Sequence, residues 1–339
     1  MTGKRILLVG LTHPQALESS YHSAATHLGY EVLPFDIESR MAKYVKLGKL
    51  GRTLHLFLPV DAWTRKMNRE LIITARQYRP DYLFYFTEAP VLYGTLATIK
   101  TALPDTRIVW VWPDTPMNLG PHSVNSAKLV DITATYSSSS IPVFTRLGFN
   151  NPVWVPLGGD PFMHKNDVSS QEDFNCDISF VGGWRPERER VMKTIARHFT
   201  NAAIEVHGPL WEKNCRDEFL KKRIKGGGFF GRQLGVVFNK SRININQIDD
   251  TNYPSANMRF FEVSTAGGLQ VASSCPEMEN DFRHKEHLLY FKDENDMLEQ
   301  IQWVLDHPAE AHKIREAGQK LLLEKHAYSN RIQTIMQHL

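Results

Sequence analysis

The sequence predicts an α/β protein made of two doubly wound parallel sheets, and three observations lead there. Apolar runs such as Tyr-Leu-Phe-Tyr-Phe at 82–86 and Arg-Ile-Val-Trp-Val-Trp at 107–112 are nearly continuous, the mark of strands covered on both faces. They alternate with helical segments along most of the chain, which implies parallel pairing with helices on either side. The alternation breaks once, over 156–173, and then restarts, and 339 residues is a length suited to two domains.

The first half opens with an apolar strand at 5–9, a polar loop over 11–19 and a helix through His27. Gly29 stops that helix before a strand at 31–35. A helix at 69–78 leads through Arg79-Pro80 into the strand 82–86; a helix at 92–103 precedes the strand 107–112. A strand at 131–135 ends in four serines, 137–140, and is followed by a helix at 142–147 and a strand at 152–155. Residues 156–173, rich in Pro, Gly, Ser and charge, have linker composition. The pattern resumes with a strand at 177–181, Gly182-Gly183 and a charged helix from about Pro186. Next come a strand at 203–207, a basic helix around 219–224, a glycine turn at 226–228 and a helix at 232–240. After the segment 241–276 follow a strand at 288–290, helices at 296–305 and 309–325, and a helical tail at 328–339. The expected organisation is therefore a first domain at 1–158, a linker at 159–176, a second domain at 177–325 and a terminal helix at 326–339 that crosses back to the first domain. Two such domains would face each other across a cleft at their strand ends.

Composition excludes several classes. A net charge of +3 marks no dedicated nucleic-acid surface by itself. Three widely spaced cysteines, Cys176, Cys215 and Cys275, suggest neither a disulfide framework nor a zinc site, and no metal ligands are expected. No apolar run reaches membrane-spanning length, and residues 1–10 read as a buried strand without a cleavage site, so a cytoplasmic location is expected. The first loop, Gly-Leu-Thr-His-Pro-Gln, has no G-x-G-x-x-G, and no P-loop lysine motif is present, which argues against dinucleotide cofactors and P-loop ATPases.

The segment 241–276 is the most informative. It reads as a strand around Ile243 and Ile245, a polar loop, a helix of about ten residues closing on Gly267-Gly268, and a second apolar run at 269–272. Ser255 or Asn257 is placed to cap that helix, whose first backbone N–H groups have no partner inside it. Such an end attracts phosphate. Arg259 adds a positive charge in the first turn, while Glu262, one turn on from Met258, suits the vicinal hydroxyls of a ribose. The same spacing also fits an ordinary exposed Glu262 and an ordinary C-cap at Gly267.

In the first half, Asp114 follows the strand 107–112 directly, where a carboxylate could hold or accept the proton of an acceptor hydroxyl. Asp is also common in a turn beside Pro113 and Pro116. Glu88 ends the neighbouring strand and is the rival carboxylate; His13 and His22 lie near the first loop. Residues 41–69 interleave Lys43, Lys46, Lys49, Arg52, Arg65, Lys66 and Arg69 with Tyr44, Leu50, Phe57 and Trp63. Such a segment can dock an anionic acceptor, lipid surface or nucleic acid, or can simply pack as an amphipathic helix pair.

The order Cys-Asp-Ile-Ser-Phe-Val-Gly-Gly-Trp-Arg-Pro-Glu-Arg-Glu-Arg, His-Gly-Pro-Leu-Trp, Phe-Phe-Gly-Arg-Gln-Leu, Arg-Phe-Phe-Glu-Val-Ser-Thr-Ala-Gly-Gly and a late His-Ala-Tyr-Ser-Asn-Arg resembles the CgeB/YkvP-like, spore-maturation-type glycosyltransferases. These belong to the broader group 1 glycosyltransferases of GT-B fold, two Rossmann-like domains facing across a cleft. The likeness covers most of the C-terminal half and, more loosely, the N-terminal half through Val-Trp-Pro-Asp-Thr-Pro. It implies a second domain that binds a nucleoside diphosphate sugar, a first domain that carries the acceptor, and no metal or other cofactor. Glu262 matches the family's ribose-binding glutamate. The glutamate usually found eight positions earlier is absent, since that position is Pro254, which leaves the sugar undetermined. Gly182, Gly183 and Arg185 match the loop that approaches the diphosphate, with Arg188 the next cation. His207 and Gly208 end a strand at the same edge, and Phe230 through Arg232 match the turn that lines the base. Read without the resemblance, Gly182-Gly183 also fits a tight turn, His207 a structural role, and Arg185 and Arg188 a solvated helix face.

Three functions fit: a metal-independent glycosyltransferase, a nucleotide-sugar epimerase on the same architecture, or a non-catalytic ligand-binding protein. The acceptor could be a glycan, lipid-linked glycan, protein, nucleic acid or small molecule.

Overall fold

The computed structural model describes residues 3–45, 50, 51, 53, 61–168 and 174–339. The chain divides into two compact units, Met1–Pro156 with Ser329–Leu339, and Leu157–Tyr328.

The first unit holds β1 (Arg5–Gly10), β2 (Glu31–Asp36), β3 (Tyr82–Phe86), β4 (Arg107–Trp112), β5 (Ile132–Thr135) and β6 (Pro152–Trp154), in spatial order β2-β1-β3-β4-β5-β6. Every pairing is parallel. The chain leaves β1 in one direction and later returns on its other side, so the order reverses at the first strand. The core explains the runs of aromatics on β4. Trp110 stacks on Phe149 at 4.7 Å, meets Phe144 edge-on at 5.6 Å, and donates its indole N–H to the Thr87 carbonyl at 2.9 Å. The helix Asp61–Tyr78 buries Met67, Leu71 and Ala75 at a spacing of four, which is one helix face. The helix Tyr328–Gln337 buries Ile332 and Ile335, and just beyond it the His338 carbonyl accepts from Asn151 Nδ2 at 3.3 Å.

The second unit holds β7 (Cys176–Val181), β8 (Ile204–His207), β9 (Ser241–Asn246), β10 (Gln270–Ser273) and β11 (Leu289–Phe291), in order β11-β10-β9-β7-β8, again all parallel. Its order also reverses at its first strand, between β7 and β9. The stretch with linker composition contributes a short helix, Pro161–His164, whose cap is Asp160: the carboxylate accepts from Phe162 N at 2.9 Å and Met163 N at 3.2 Å. The basic segment expected to be helical over 219–224 is helical only at Glu218–Lys221, because Ile224 pairs with Val206 as an isolated bridge beside β8. The helix expected to reach Lys325 runs from Pro308 to Leu321, and a wider turn covers Leu322–His326. All three cysteines are buried and unpaired. Among the described residues no helix is long and apolar enough to cross a membrane.

Trp110→Ala should destabilise the first unit by about 3–5 kcal/mol, the usual cost of emptying a large aromatic site. Urea unfolding followed by fluorescence checks this; a loss below about 1 kcal/mol would show that the aromatic cluster is not central to the core.

Candidate functional site

Parallel pairing brings the ends of β7, β8 and β9 to one edge of the second unit. At that edge two loops touch through backbone. Gly182 N donates to the His207 carbonyl at 2.9 Å, Trp211 donates its indole N–H to the Gly182 carbonyl at 2.7 Å, and Trp184 N donates to the Pro209 carbonyl at 3.0 Å. Gly208 has φ +139°, and a Cβ there would lie 2.1 Å from the Gly182 oxygen. Only glycine fits.

Two arginines converge beside these loops. Arg188 Nη1 donates to the Gly183 carbonyl at 2.8 Å and Nη2 to Asp249 Oδ2 at 2.7 Å; Arg185 Nη1 lies 3.1 Å from the same oxygen. Asp249 is in the loop after β9, so this triad joins the loops of β7 and β9 at the point of reversal. Two guanidinium groups share the Asp249 carboxylate, and Glu187 Oε1 lies 4.0 Å from Arg185 Nη1. Arg259 points its Nε at the Val181 carbonyl, 3.2 Å away, and its Nη1 pairs with Glu262 Oε2.

The helix Met258–Thr265 starts at the same edge. Of the two caps the sequence allows, Asn257 is the one used: its Oδ1 accepts from Phe260 N at 3.0 Å, and its Nδ2 donates to Asn246 Oδ1 at 2.9 Å. Asn246 in turn donates to Gln270 Oε1 at 3.1 Å, and Gln270 Nε2 donates to the Phe260 carbonyl at 2.8 Å. This polar chain across β9 and β10 fixes the helix start. Glu262 is buried at 6% exposure, which removes the reading of an ordinary exposed helix residue. His164 lies close enough to feel its charge, but burial is the stronger influence and pulls the His164 pKa down.

His207 is buried with its ring edge-on to Phe229 at 5.0 Å and Nε2 3.2 Å from Glu205; burial lowers its pKa, so it is neutral at pH 7. Phe230 is 51% exposed, Arg232 is exposed, and neither side chain joins the arginine–aspartate network. Buried polar atoms are ordinarily satisfied. Yet Arg188 Nε, His207 Nδ1, Gln247 Oε1, Asp249 Oδ1 and Ser255 Oγ, all at this edge, have no partner among the described residues.

In the first unit Asp114 is exposed, with Oδ1 accepting from Thr115 N and Oδ2 from Asn118 Nδ2, both at 2.7 Å. Glu88 is engaged differently. Its oxygens accept from Gly120 N at 3.1 Å, His122 N at 2.9 Å, Ser123 N at 3.2 Å and the Ser123 hydroxyl, so it caps the start of the helix Pro121–Ser126. Beside β1, Glu18 is buried and accepts from Leu11 N at 3.0 Å; burial raises its pKa, against the opposing pull of that N–H. With Thr12, Ser19 and His22 it lines a pocket of about 230 Å³. His13 is exposed, and its carbonyl accepts from Ser19 Oγ at 2.8 Å and from Ala16 N at 2.9 Å. Of the basic segment, Lys46, Lys49, Arg52 and Phe57 lie outside the described residues. Arg65, Lys66 and Arg69 are on the exposed face of the helix Asp61–Tyr78, and Trp63 packs toward the core. Among the described residues no group of three or more His, Cys, Asp or Glu is placed to hold a metal.

Residues 185–337 match a protein family described as glycosyl transferase-like. No curated protein matches. Among solved structures, sucrose-phosphate synthase from Thermosynechococcus elongatus aligns at TM-score 0.66 and 11% identity over 98% of both chains. Anabaena HepE, solved in complex with UDP-glucose, aligns at TM-score 0.64 and 12% identity over 98% of both. A glycosyltransferase from Rickettsia africae aligns at 0.67 and 11%, covering 98% of this chain and 97% of its own. The fold is GT-B.

The stretch similar to that family falls mostly in the second unit of this GT-B chain, whose strand edge gathers Gly182, Gly183, Arg185, Arg188, His207, Gly208, Ser255, Asn257, Arg259 and Glu262. Phe230 and Arg232 stand at its margin. Sequence reasoning missed Asp249, which pairs with both arginines. The signal for it was present, since Asp249 stands three residues past the end of β9, the kind of position that singled out Asp114. It also missed Glu18, whose burial nothing in the local spacing announces.

Two variants test this geometry. Glu88→Gln puts an amide N–H₂ against a ring of donors and should cost about 1–2 kcal/mol in urea unfolding; an unchanged midpoint would dismiss the capping role. Glu18 has a folded pKa above its unfolded value. Its contribution is therefore fully present at low pH and is lost as pH rises above the ordinary glutamate range, about 4.3. Glu18→Gln should accordingly be more stable than the natural chain at pH 7 and show no gain at pH 4.

Proposed function

We propose that this chain transfers a glycosyl group from a nucleoside diphosphate sugar, bound by the second unit, to a hydroxyl or amine acceptor handled by the first, within the CgeB/YkvP-like group of glycosyltransferases. The observation that carries the reading is the cluster at the ends of β7 and β9. Two arginines, a glycine loop and an Asn257-capped helix start come together with five unsatisfied buried polar atoms.

The chemistry follows from these groups. A departing diphosphate develops negative charge, which guanidinium groups and helix N–H donors stabilise most strongly where water is excluded. Arg185 and Arg188 share one carboxylate, so each retains N–H groups for phosphate oxygens. That supply of positive charge supports transfer without a metal. Glu262 spends Oε2 on Arg259 and leaves Oε1 for the vicinal hydroxyls of a ribose. The HepE structures, solved with UDP-glucose and with UDP, support a nucleotide sugar as donor. The three unpaired buried cysteines fit a reducing compartment, and we take the cytosol as its location.

On the acceptor side Asp114 is the better candidate. Its carboxylate is exposed and held in place by two hydrogen bonds, whereas both Glu88 oxygens are engaged by four donors at the helix start. We assign Asp114 to holding the acceptor hydroxyl and accepting its proton. If Asp114 has no such role, the donor's own phosphate is the natural proton acceptor.

Titration with UDP, GDP, ADP, CMP and dTDP should reveal one preferred nucleotide by its thermal stabilisation. Glu262→Gln should weaken that nucleotide by about 1–3 kcal/mol, and Arg185→Ala should weaken the diphosphate more than the nucleoside. Unchanged affinity in both folded variants would overturn the donor site. Asp114→Asn should cut turnover by about 100-fold with donor binding intact; a donor-binding defect with normal turnover would reverse its assignment. Donor conversion to an epimer without any acceptor would mark an epimerase instead.

A further inference from the structure

The opposite edge of the second sheet carries a separate set of groups. There β7 and β9 begin, with Phe174 and Arg242 beside their first residues, and the helices Glu294–Asp306 and Pro308–Leu321 pass alongside. A cavity of about 180 Å³ lies among Phe174, Arg242, Leu305, Pro308, His312 and Arg315.

Arg315 is 2% exposed, and no carboxylate pairs with it among the described residues. Its Nε donates to the Gly267 carbonyl at 2.9 Å and its Nη2 to the Asn239 carbonyl at 2.7 Å. These carbonyls lie at the C-terminal ends of the helices Met258–Thr265 and Gly231–Asn239, whose partial negative charges offset part of the guanidinium charge. Burial lowers its pKa to about 10, which leaves it charged at pH 7. The Phe174 ring lies 4.8 Å from it and 5.8 Å from the Arg242 guanidinium. Among the described residues Arg315 Nη1 nevertheless has no partner, and neither does His312 Nδ1, whose other ring nitrogen lies 3.5 Å from Glu316. A buried, charged donor left unsatisfied is costly, and the Arg315 nitrogen with the His312 ring beside it on one cavity asks for an acceptor.

We propose that this cavity binds a small organic carboxylate, with its anionic oxygens accepting from Arg315 Nη1 and the His312 ring and its apolar body against Leu305, Pro308 and Phe174. The apolar walls and the small number of inward donors favour a monoanion with a hydrophobic body over inorganic phosphate. The site is separate from the donor edge and does not depend on the proposed transferase activity.

The full chain is titrated with benzoate, benzyl alcohol and inorganic phosphate by calorimetry and thermal shift. Benzoate is expected to bind saturably and raise the unfolding temperature, while its neutral counterpart does neither. His312→Ala should weaken benzoate about 10-fold, and Ala311→Leu, which fills the cavity without removing a charge, should abolish binding. Folding of each variant is checked by its far-UV circular dichroism, and nucleotide affinity should be unaltered in both. Absence of saturable benzoate binding would overturn the proposal, as would equal binding by the natural chain and both variants. Tighter binding of phosphate than benzoate would overturn the carboxylate assignment.

Discussion

Because every strand pairing in both sheets is parallel, each strand must be followed by a crossover, and all strand ends of a unit fall on a single edge. Everything chemical in the second unit depends on that constraint. Val181, His207 and Asn246 are far apart in the chain, yet each ends a strand, so the loops that follow them are forced together. The reversal between β7 and β9 then sets which two loops meet most closely, and Arg188 and Asp249 are the residues that close the meeting. The glycine at 208 follows from the same cause, since the Gly182 carbonyl leaves no room for a Cβ there; at Gly182 a Cβ would instead press on the Phe180 ring at 3.2 Å.

The electrostatics of this edge are those of guanidinium groups held by shared carboxylates. A carboxylate shared by two arginines holds them in position without using all of their donors. Arg259 and Glu262 form a second, closed pair one step away. Positive charge is thereby concentrated at the glycine loop and withheld from the start of the helix Met258–Thr265, where the backbone N–H groups act by themselves. The unsatisfied nitrogens and oxygens lie around the first cluster, which is where a polar ligand would find both charge and direction.

The fold was legible in the sequence because buried parallel strands carry no alternation. Runs such as Arg-Ile-Val-Trp-Val-Trp announce themselves, and Asn257 with the closing Gly267-Gly268 bounds its helix by local chemistry alone. What escaped depends on distant partners. Glu88 caps a helix that begins more than thirty residues later, and no local pattern distinguishes such a carboxylate from a free one. Glu262 and Glu18 have the spacing of surface residues and are buried by tertiary contacts. The helical pattern around 219–224 stops early because Ile224 gains a strand partner in β8, which propensity cannot foresee. The residues gathered at the strand edge of the second unit were legible largely because they sit at or just past strand ends, a property of order along the chain; the first unit had no comparable signal.

The contact between Gly182 and Gly208 also bears on how this protein could be re-engineered. A library that randomised the loops of the second unit would waste its variation at Gly208, where any side chain collides with a carbonyl. Gly183 is its counterpart: a Cβ there meets nothing nearer than Pro209 Cγ at 3.7 Å. Of the three loop glycines at 182, 183 and 208, diversity is accessible at Gly183, and a side chain introduced there would alter the wall of the loop while leaving its backbone frame intact.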